Sequence, residues 1–144
     1  MFKVQINNIR FGYFDLAGVL YHSNYFAIFE EVREQYLASI GCPYHILSAG
    51  GLHLAVAKSE QSFLKPIFYG DKIEVEVGTL NIKNSSFVFD YKINTIIDDS
   101  NLNSGRVLVH HATTQVVCVQ VEKRSARPTR IPDDLRKNLE KIAL

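Results

Sequence analysis

A long amphipathic stretch decides the fold, and it reads YFAIFEEVREQYLASIG from Tyr25 to Gly41. Apolar and aromatic residues recur along it at helical spacing, and charged residues fill much of the remainder. Ser23 or Asn24 is suited to cap the amino end, while Gly41 is suited to end the helix. The spacing therefore predicts a helix from about Ser23 to Ile40, about 17 residues and about 25 Å long.

Strand patterns lie before and after this helix. Alternation of apolar and polar residues, with β-branched and aromatic residues enriched, predicts strands over 2–6, 52–68, 72–82, 86–97 and 107–121. A polar loop is predicted over 98–105 and a short, mostly exposed helix from Asp133. Connections between the strands are mostly short, which favours antiparallel neighbours. One long helix with several antiparallel strands is typical of an α+β architecture.

Length and composition indicate one ordinary globular domain spanning residues 1–144, with 47% hydrophobic and 22% charged residues. The net charge of +1 gives no global field for nucleic acid or a membrane surface. The first residues lack the apolar core of a signal peptide, and no apolar run is long enough to span a bilayer. We therefore expect a cytoplasmic protein. Cys42 and Cys118 lie far apart and are expected to be reduced and buried.

The residues ahead of the helix read DLAGVLYHSN from Asp15 to Asn24. A carboxylate thus precedes a helix start, which offers unpaired N–H groups and the positive end of the helix dipole. An acid beside such donors suits acyl transfer, because the donors can stabilise an oxyanion. The alternative for an aspartate here is a structural turn residue.

Other catalytic chemistries lack their motifs. The sequence has no HExxH, no CxxC, no Gly-rich phosphate loop and no serine nucleophile elbow. His110 and His111 are adjacent on a strand, so they point to opposite faces and do not easily chelate one metal. The sequence therefore predicts no metal site and no cofactor.

Residues Phe14 to Arg33 resemble the signature of hotdog-fold acyl-CoA thioesterases of the 4-hydroxybenzoyl-CoA thioesterase type. Within that type, the segment resembles the small bacterial thioesterases associated with the Tol-Pal system. The matching positions are Asp15, Gly18, Val19, Tyr21, His22, Asn24, Tyr25, Phe29, Glu30 and Arg33. Weaker matches lie at 63–66 with 70–71, and at 127–128 with 131–132. Tyr13 departs from the family, which often has an acidic residue two positions before the aspartate.

The resemblance implies a hotdog fold, in which a five-stranded antiparallel sheet wraps around one long central helix. It also implies that sheets pair edge to edge into a dimer, with active sites at the interface and tetramers formed from paired dimers. Such pairing would cover an exposed sheet edge. We therefore expect a homo-oligomer, either a dimer or a tetramer.

The implied activity is hydrolysis of an acyl-CoA thioester to a carboxylic acid and free CoA. Asp15 would act as general base or as nucleophile, and backbone amides near Tyr21 and His22 would polarise the carbonyl. Gly18 would let the backbone pass close to the acyl group. The side chain of His22 either acts at the thioester or satisfies local hydrogen bonds. The Tyr21 ring either packs, as such rings more often do, or brings its hydroxyl into the pocket as a third catalytic group.

Substrate contacts are expected from Ser59, Lys65, Arg127 and Arg130. Arginine can engage the phosphates of CoA in bidentate fashion, although a basic tail is more often merely solvated. The cluster lacks the aromatic interleaving of a nucleic-acid site. Glu30 and Arg33 are three residues apart on the helix, so their side chains can meet there. They would form either an ordinary exposed pair or, as the resemblance implies, a partly buried one near the site or a subunit interface.

Three other functions stay open on the sequence alone. They are thioester hydrolysis from acyl carrier protein, enoyl-CoA hydration on the same fold, and non-catalytic binding of acyl-CoA. Asp15 argues against the last of these, because binding alone requires no such carboxylate. Aliphatic and aromatic acyl groups both need an apolar pocket, so the acyl class is not determined.

Overall fold

The computed structural model describes residues 1–98 and 104–144, so most of the loop predicted over 98–105 lies outside the described residues. The elements in chain order are β1 (Phe2–Ile6), 3-10 turns at Phe11–Tyr13 and His22–Asn24, α1 (Tyr25–Ser39), α2 (Tyr44–Ala49), β2 (Leu52–Phe63), β3 (Ile73–Leu80), β4 (Ser86–Asp98), β5 (Ser104–Glu122), β6 (Ser125–Pro128) and α3 (Asp133–Lys141).

The strands form one antiparallel sheet in the order β1-β3-β4-β5-β2, with β6 paired to β5. The described chain thus has six strands, and the prediction of five was wrong. The pairing of β4 with β5 stops at Val117, so β5 extends beyond β4. The chain turns at Lys123, where φ is 53°, and β6 pairs with the overhang from Val119 to Glu122.

Helix α1 packs against one face of this sheet. It buries six side chains there, namely Tyr25, Ile28, Phe29, Val32, Tyr36 and Leu37. Phe29 stacks on Tyr91 with ring centroids 4.5 Å apart, and Tyr36 meets Phe89 edge-on at 6.0 Å. Aromatic residues thus supply much of the apolar area that holds helix to sheet. The α+β class and an antiparallel sheet with a central helix are confirmed, although α1 has 15 residues rather than about 17.

Strand β2 is one edge of the sheet and β1 is the other, and the side chains of β2 from Ala55 to Glu60 are exposed. At one end of the ladder with β5, Phe63 is opposite His110, and at the other end Leu52 is opposite Gln120. Ten residue steps along β5 separate these ends, about 33 Å at a strand rise of about 3.3 Å per residue. Because the two ends of this ladder are so far apart, predicted site residues at opposite ends cannot meet within one chain.

Two further findings concern the cysteines and the helices. Both cysteines are free and buried as expected, and burial raises the pKa of the Cys118 thiol to about 11. Among the described residues, none of the helices is long and apolar enough to cross a membrane.

Candidate active site

Asp15 closes a tight loop with its own carboxylate. Its Oδ1 accepts the N–H of Ala17 at 2.9 Å and that of Val19 at 3.1 Å. The Asp15 N–H donates to the Val19 carbonyl at 2.9 Å, and the Gly18 N–H donates to the Asp15 carbonyl at 3.0 Å. Oδ2 has no hydrogen-bond partner in the described part of the chain, and the side chain is exposed. One oxygen therefore holds the loop, while the other is available for chemistry.

Gly18 has a φ of +74°, a left-handed conformation that side-chain-bearing residues rarely adopt. A Cβ placed there would meet nothing within 4 Å among the described residues. Backbone conformation is therefore the reason for glycine that the structure itself provides. The predicted close passage of the acyl group stays a prediction.

The segment that follows β2 supports the Asp15 loop from behind. Val19 pairs with Phe68, and the Leu20 N–H donates to the Ile67 carbonyl at 2.8 Å. The Tyr69 N–H donates to the Gly18 carbonyl, also at 2.8 Å. The Asp15 loop is thus exposed yet held by backbone bonds on two sides, which limits how far its carboxylate can move.

The start of α1 departs from the expected capping. Neither Ser23 nor Asn24 caps the helix through its side chain, and Asn24 itself has helical dihedrals. The side-chain amide of Asn24 donates instead to the Tyr13 carbonyl at 2.9 Å. The Tyr21 N–H donates to the same carbonyl at 3.0 Å, so the prediction that it faces a substrate is not supported. Within the described residues the N–H groups of His22 and Ser23 have no acceptor, and these are the candidate oxyanion donors.

The side chains of Tyr21 and His22 are exposed, with ring centroids 4.3 Å apart. Neither side chain hydrogen-bonds to another described residue, so His22 does not satisfy a local partner. A chemical role for either side chain stays a prediction.

The four predicted substrate contacts are spread over the molecule. Lys65 lies near the Asp15 loop, just beyond β2, where its N–H donates to the Val109 carbonyl at 3.0 Å. Ser59 is exposed in the middle of β2. Arg127 lies on β6 opposite Gln120, and Arg130 follows that strand and pairs with Asp133 at 3.1 Å. Within one chain the structure does not bring the two arginines to Asp15.

We call the region formed by residues 15–24 and 64–69 the carboxylate end, and the β5–β6 hairpin, residues 119–128, the hairpin end. The hairpin end has an open cleft of about 430 Å³. Its charged lining residues are Glu122, Lys123, Arg124 and Arg127. The two ends lie at opposite ends of the ladder between β2 and β5.

Glu30 and Arg33 do not form the predicted pair. The Arg33 Nη1 donates to the Tyr91 hydroxyl at 3.3 Å, and its guanidinium lies 5.7 Å from the Phe89 ring centroid. Glu30 is exposed beside a cavity of about 260 Å³ that Arg33 also lines. Arg33 is drawn towards the sheet because a buried hydroxyl and an aromatic face lie within its reach. Burial raises the pKa of Tyr91 to about 12.

Sequence reasoning placed His110 on a strand but gave it no role at the site, and its imidazole is fully buried beneath the carboxylate end. Its Nε2 lies 3.0 Å from Gln61 Oε1, and its Nδ1 has no hydrogen-bond partner among the described residues. Burial, with a smaller contribution from His111, lowers the pKa of His110 to about 4, so it is neutral near pH 7. His111 faces outward and contacts Asp90 at 2.7 Å, so the prediction of opposite faces is confirmed.

The antiparallel sheet with its central helix, and the carboxylate loop ahead of the helix start, fit the class of thioester hydrolases that the sequence predicts. Residues 9–139 match the family model described as the thioesterase-like superfamily, and the chain belongs to that superfamily. The predicted hotdog thioesterase family and thioester hydrolase activity are thereby confirmed.

Individual relatives agree with this membership. The chain is 30% identical to a 1,4-dihydroxy-2-naphthoyl-CoA hydrolase of Thermosynechococcus vestitus over 88% of this chain and 81% of that one. It is 35% identical to a putative esterase of Aquifex aeolicus over 58% of this chain, a match that spans 65% of the esterase. The structure of 4-hydroxybenzoyl-CoA thioesterase from Pseudomonas superimposes with a TM-score of 0.83 at 20% identity, covering 95% of this chain and 97% of that one, which shows the shared fold.

Proposed function

We propose that this chain hydrolyses an acyl-CoA thioester with Asp15 as the reacting carboxylate and the amides of His22 and Ser23 as oxyanion donors. Membership in the superfamily, with relatives named as acyl-CoA hydrolases, confirms the predicted activity. The roles of the residues are our proposal. One observation carries them, namely a carboxylate with a free oxygen on a rigid loop, beside a helix start with two unpartnered amides.

Two routes use this arrangement. In the first, Asp15 takes a proton from water as the water attacks the thioester carbon, the carbon–sulfur bond then breaks, and the thiolate of CoA leaves and takes up the proton. In the second, the carboxylate attacks the carbon, the thiolate of CoA leaves, and water hydrolyses the resulting anhydride. In both routes the carbonyl oxygen gains negative charge, which two backbone N–H groups at a helix start stabilise. Both routes therefore need Asp15 ionised.

The acyl group is proposed to be apolar and aromatic. Several exposed aromatic side chains surround the carboxylate end, and such a surface suits burial of an aromatic acyl group. They are Phe11, Tyr21, Phe26, Phe63, Phe68 and Tyr69. The name of the Thermosynechococcus relative, a naphthoyl-CoA hydrolase, supports the same class.

A dimer would complete the site. One side of β2 has no neighbouring strand among the described residues, and antiparallel pairing with the β2 of a second copy would cover that side in both subunits. Antiparallel pairing also brings the hairpin end of one subunit to the carboxylate end of the other. The partner subunit's Arg127 would then lie on the side where the phosphates of CoA must extend. Gel filtration is expected to give at least a dimer, and a stable monomer would contradict this assembly.

The first experiment measures thiol release from a panel of short, long and aromatic acyl-CoAs. Wild type should release CoA, with the highest kcat/KM on an aromatic member, and Asp15→Asn should lose nearly all of this activity. Equal hydrolysis by Asp15→Asn would disprove the proposed role of the carboxylate. Preference for an acylated carrier protein, hydration of an enoyl-CoA without thiol release, or binding alone would each support one of the other functions.

A second experiment mixes two variants. Asp15→Asn should be inactive, and Arg127→Ala should show a raised KM. A hybrid dimer of the two has one complete site, with Asp15 from one subunit and the partner's Arg127. Mixing after partial unfolding and refolding should therefore recover activity at low substrate concentration. No recovery in a verified hybrid would mean that Arg127 does not serve the partner's site.

The span of residues 1–144 as a single domain and a cytoplasmic location remain proposals. They rest on the sequence observations above.

A further inference from the structure

His110 contacts residues next to both segments of the carboxylate end, residues 15–24 and residues 64–69. Its imidazole stacks on Tyr25, the first residue of α1, with ring centroids 4.2 Å apart and planes inclined by 22°. It also meets the edge of Phe63, the last residue of β2, at 4.7 Å. Tyr25 directly follows the turn that carries the amides of His22 and Ser23. Phe63 directly precedes the segment that supports the Asp15 loop.

A hydrogen bond fixes the orientation of this ring. The 3.0 Å contact with Gln61 on β2 restricts rotation of the imidazole and thereby keeps its face stacked on the Tyr25 ring. The Gln61 side chain is half-buried, so the bond sits at the margin of the core. A phenyl ring at position 110 would fill a similar space but would have no such anchor.

The choice of histidine lowers stability at this position. A fully buried nitrogen, Nδ1, has no partner among the described protein groups, and such a group costs folding free energy. An apolar side chain would avoid that cost if the position served only to fill the core. The polar ring therefore calls for a reason other than packing.

We infer that His110 is a positioning residue, which sets the placement of the carboxylate loop relative to the oxyanion amides through its contacts with Tyr25, Phe63 and Gln61. This inference rests on the proposed function. It concerns a residue that does not touch the substrate, so its effect is on geometry. Small displacements of reacting groups are enough to slow catalysis strongly.

The test compares His110→Phe, Gln61→Leu and the double variant, assayed with the best acyl-CoA of the panel well below their melting temperatures. Each single variant should lower kcat by about tenfold and leave KM within about twofold, because the interaction supports the transition state. The double variant should be no slower than the worse single variant, because both remove the same bond. His111→Gln, on the adjacent residue of the opposite face, should retain the kcat of wild type.

Unchanged kcat in Gln61→Leu would overturn the inference, and so would losses that multiply in the double variant. Loss of activity that merely follows the melting temperature would reduce His110 to a structural role. If His110→Phe does not fold, Gln61→Leu still carries the test, because it changes a half-buried side chain. Full activity in Asp15→Asn would instead contradict the proposed function, so the two failures are distinguishable.

Discussion

The carboxylate end and the hairpin end both expose charged groups, but they hold them differently. The single carboxylate of Asp15 lies in a loop fixed by backbone bonds to itself and to the segment after β2. At the hairpin end, Arg127 makes no ion pair with another described residue. Bond making requires groups placed in advance, whereas a guanidinium on a long side chain can move to meet a phosphate and then bind it in bidentate fashion. The way each charge is held therefore indicates what it does.

The largest effect on kcat is expected at Asp15, because its side chain both holds the loop together and is the proposed reacting group. Asp15→Asn keeps an oxygen that can accept the Ala17 and Val19 amides, so the loop should persist while kcat falls by about 10³-fold. Asp15→Ala removes both bonds, so it should be equally inactive and should also melt about 2–4 °C lower. Steady-state kinetics and thermal melts check this. Equal melting temperatures for the two variants would show that Oδ1 does not hold the loop.

Acid should weaken the carboxylate end through the neutral imidazole beneath it. Because the pKa of His110 in the folded protein is about 4, below its ordinary value of about 6.5, the unfolded chain binds the proton more readily. The free energy of unfolding therefore does not change through this group above about pH 6.5, and it decreases as the pH falls towards 4, by at most about 1.4 kcal/mol per pH unit.

Denaturant titrations of wild type and His110→Phe between these pH values measure this loss. The free energy of unfolding of wild type should fall more steeply than that of the variant. If this free energy changed with pH equally in both proteins, His110 would not bind a proton more readily in the unfolded chain than in the folded protein.

Gly18 tests whether the order of the Asp15 loop matters. Its φ of +74° is unfavourable for alanine, so Gly18→Ala should distort the loop and lower kcat by about tenfold. Gly18→Asn is the matched control, because asparagine tolerates this conformation better. Its kcat should lie between those of wild type and the alanine variant. Identical kinetics for alanine and asparagine would show that backbone conformation is not the limiting factor.

The smallest effect is expected at the hairpin end. Arg127→Ala should raise KM for acyl-CoA by about fivefold with little change in kcat, because a phosphate contact acts equally on bound substrate and transition state. Arg130→Ala should change KM less, since Arg130 is already paired with Asp133. Added salt should shrink the effect at Arg127. A fall in kcat at either arginine would contradict the contrast between the two ends.

Local sequence patterns predicted α1, α3 and the strands β1 to β5, but neither α2 nor the partners of each element. The apolar face of α1 could be predicted because its residues recur every three or four positions. The start of the helix depends instead on the Tyr13 carbonyl, which lies eleven residues before Asn24. Strand β6 was missed because its four residues are all exposed and carry no apolar alternation. Arg33 was expected beside Glu30 from their spacing, but Tyr91, on a distant strand, binds it instead.

The sequence by itself determined the α+β class, the central helix and the position of Asp15 before it, because periodicity and turn chemistry act between near neighbours. Only the tertiary structure decided which amides at the helix start stay free, which of two adjacent histidines is buried, and that Arg127 lies about 33 Å along the sheet from the carboxylate end. These features depend on strand register and on hydrogen bonds between residues far apart in the chain. They arise only when the whole sheet is assembled around the helix.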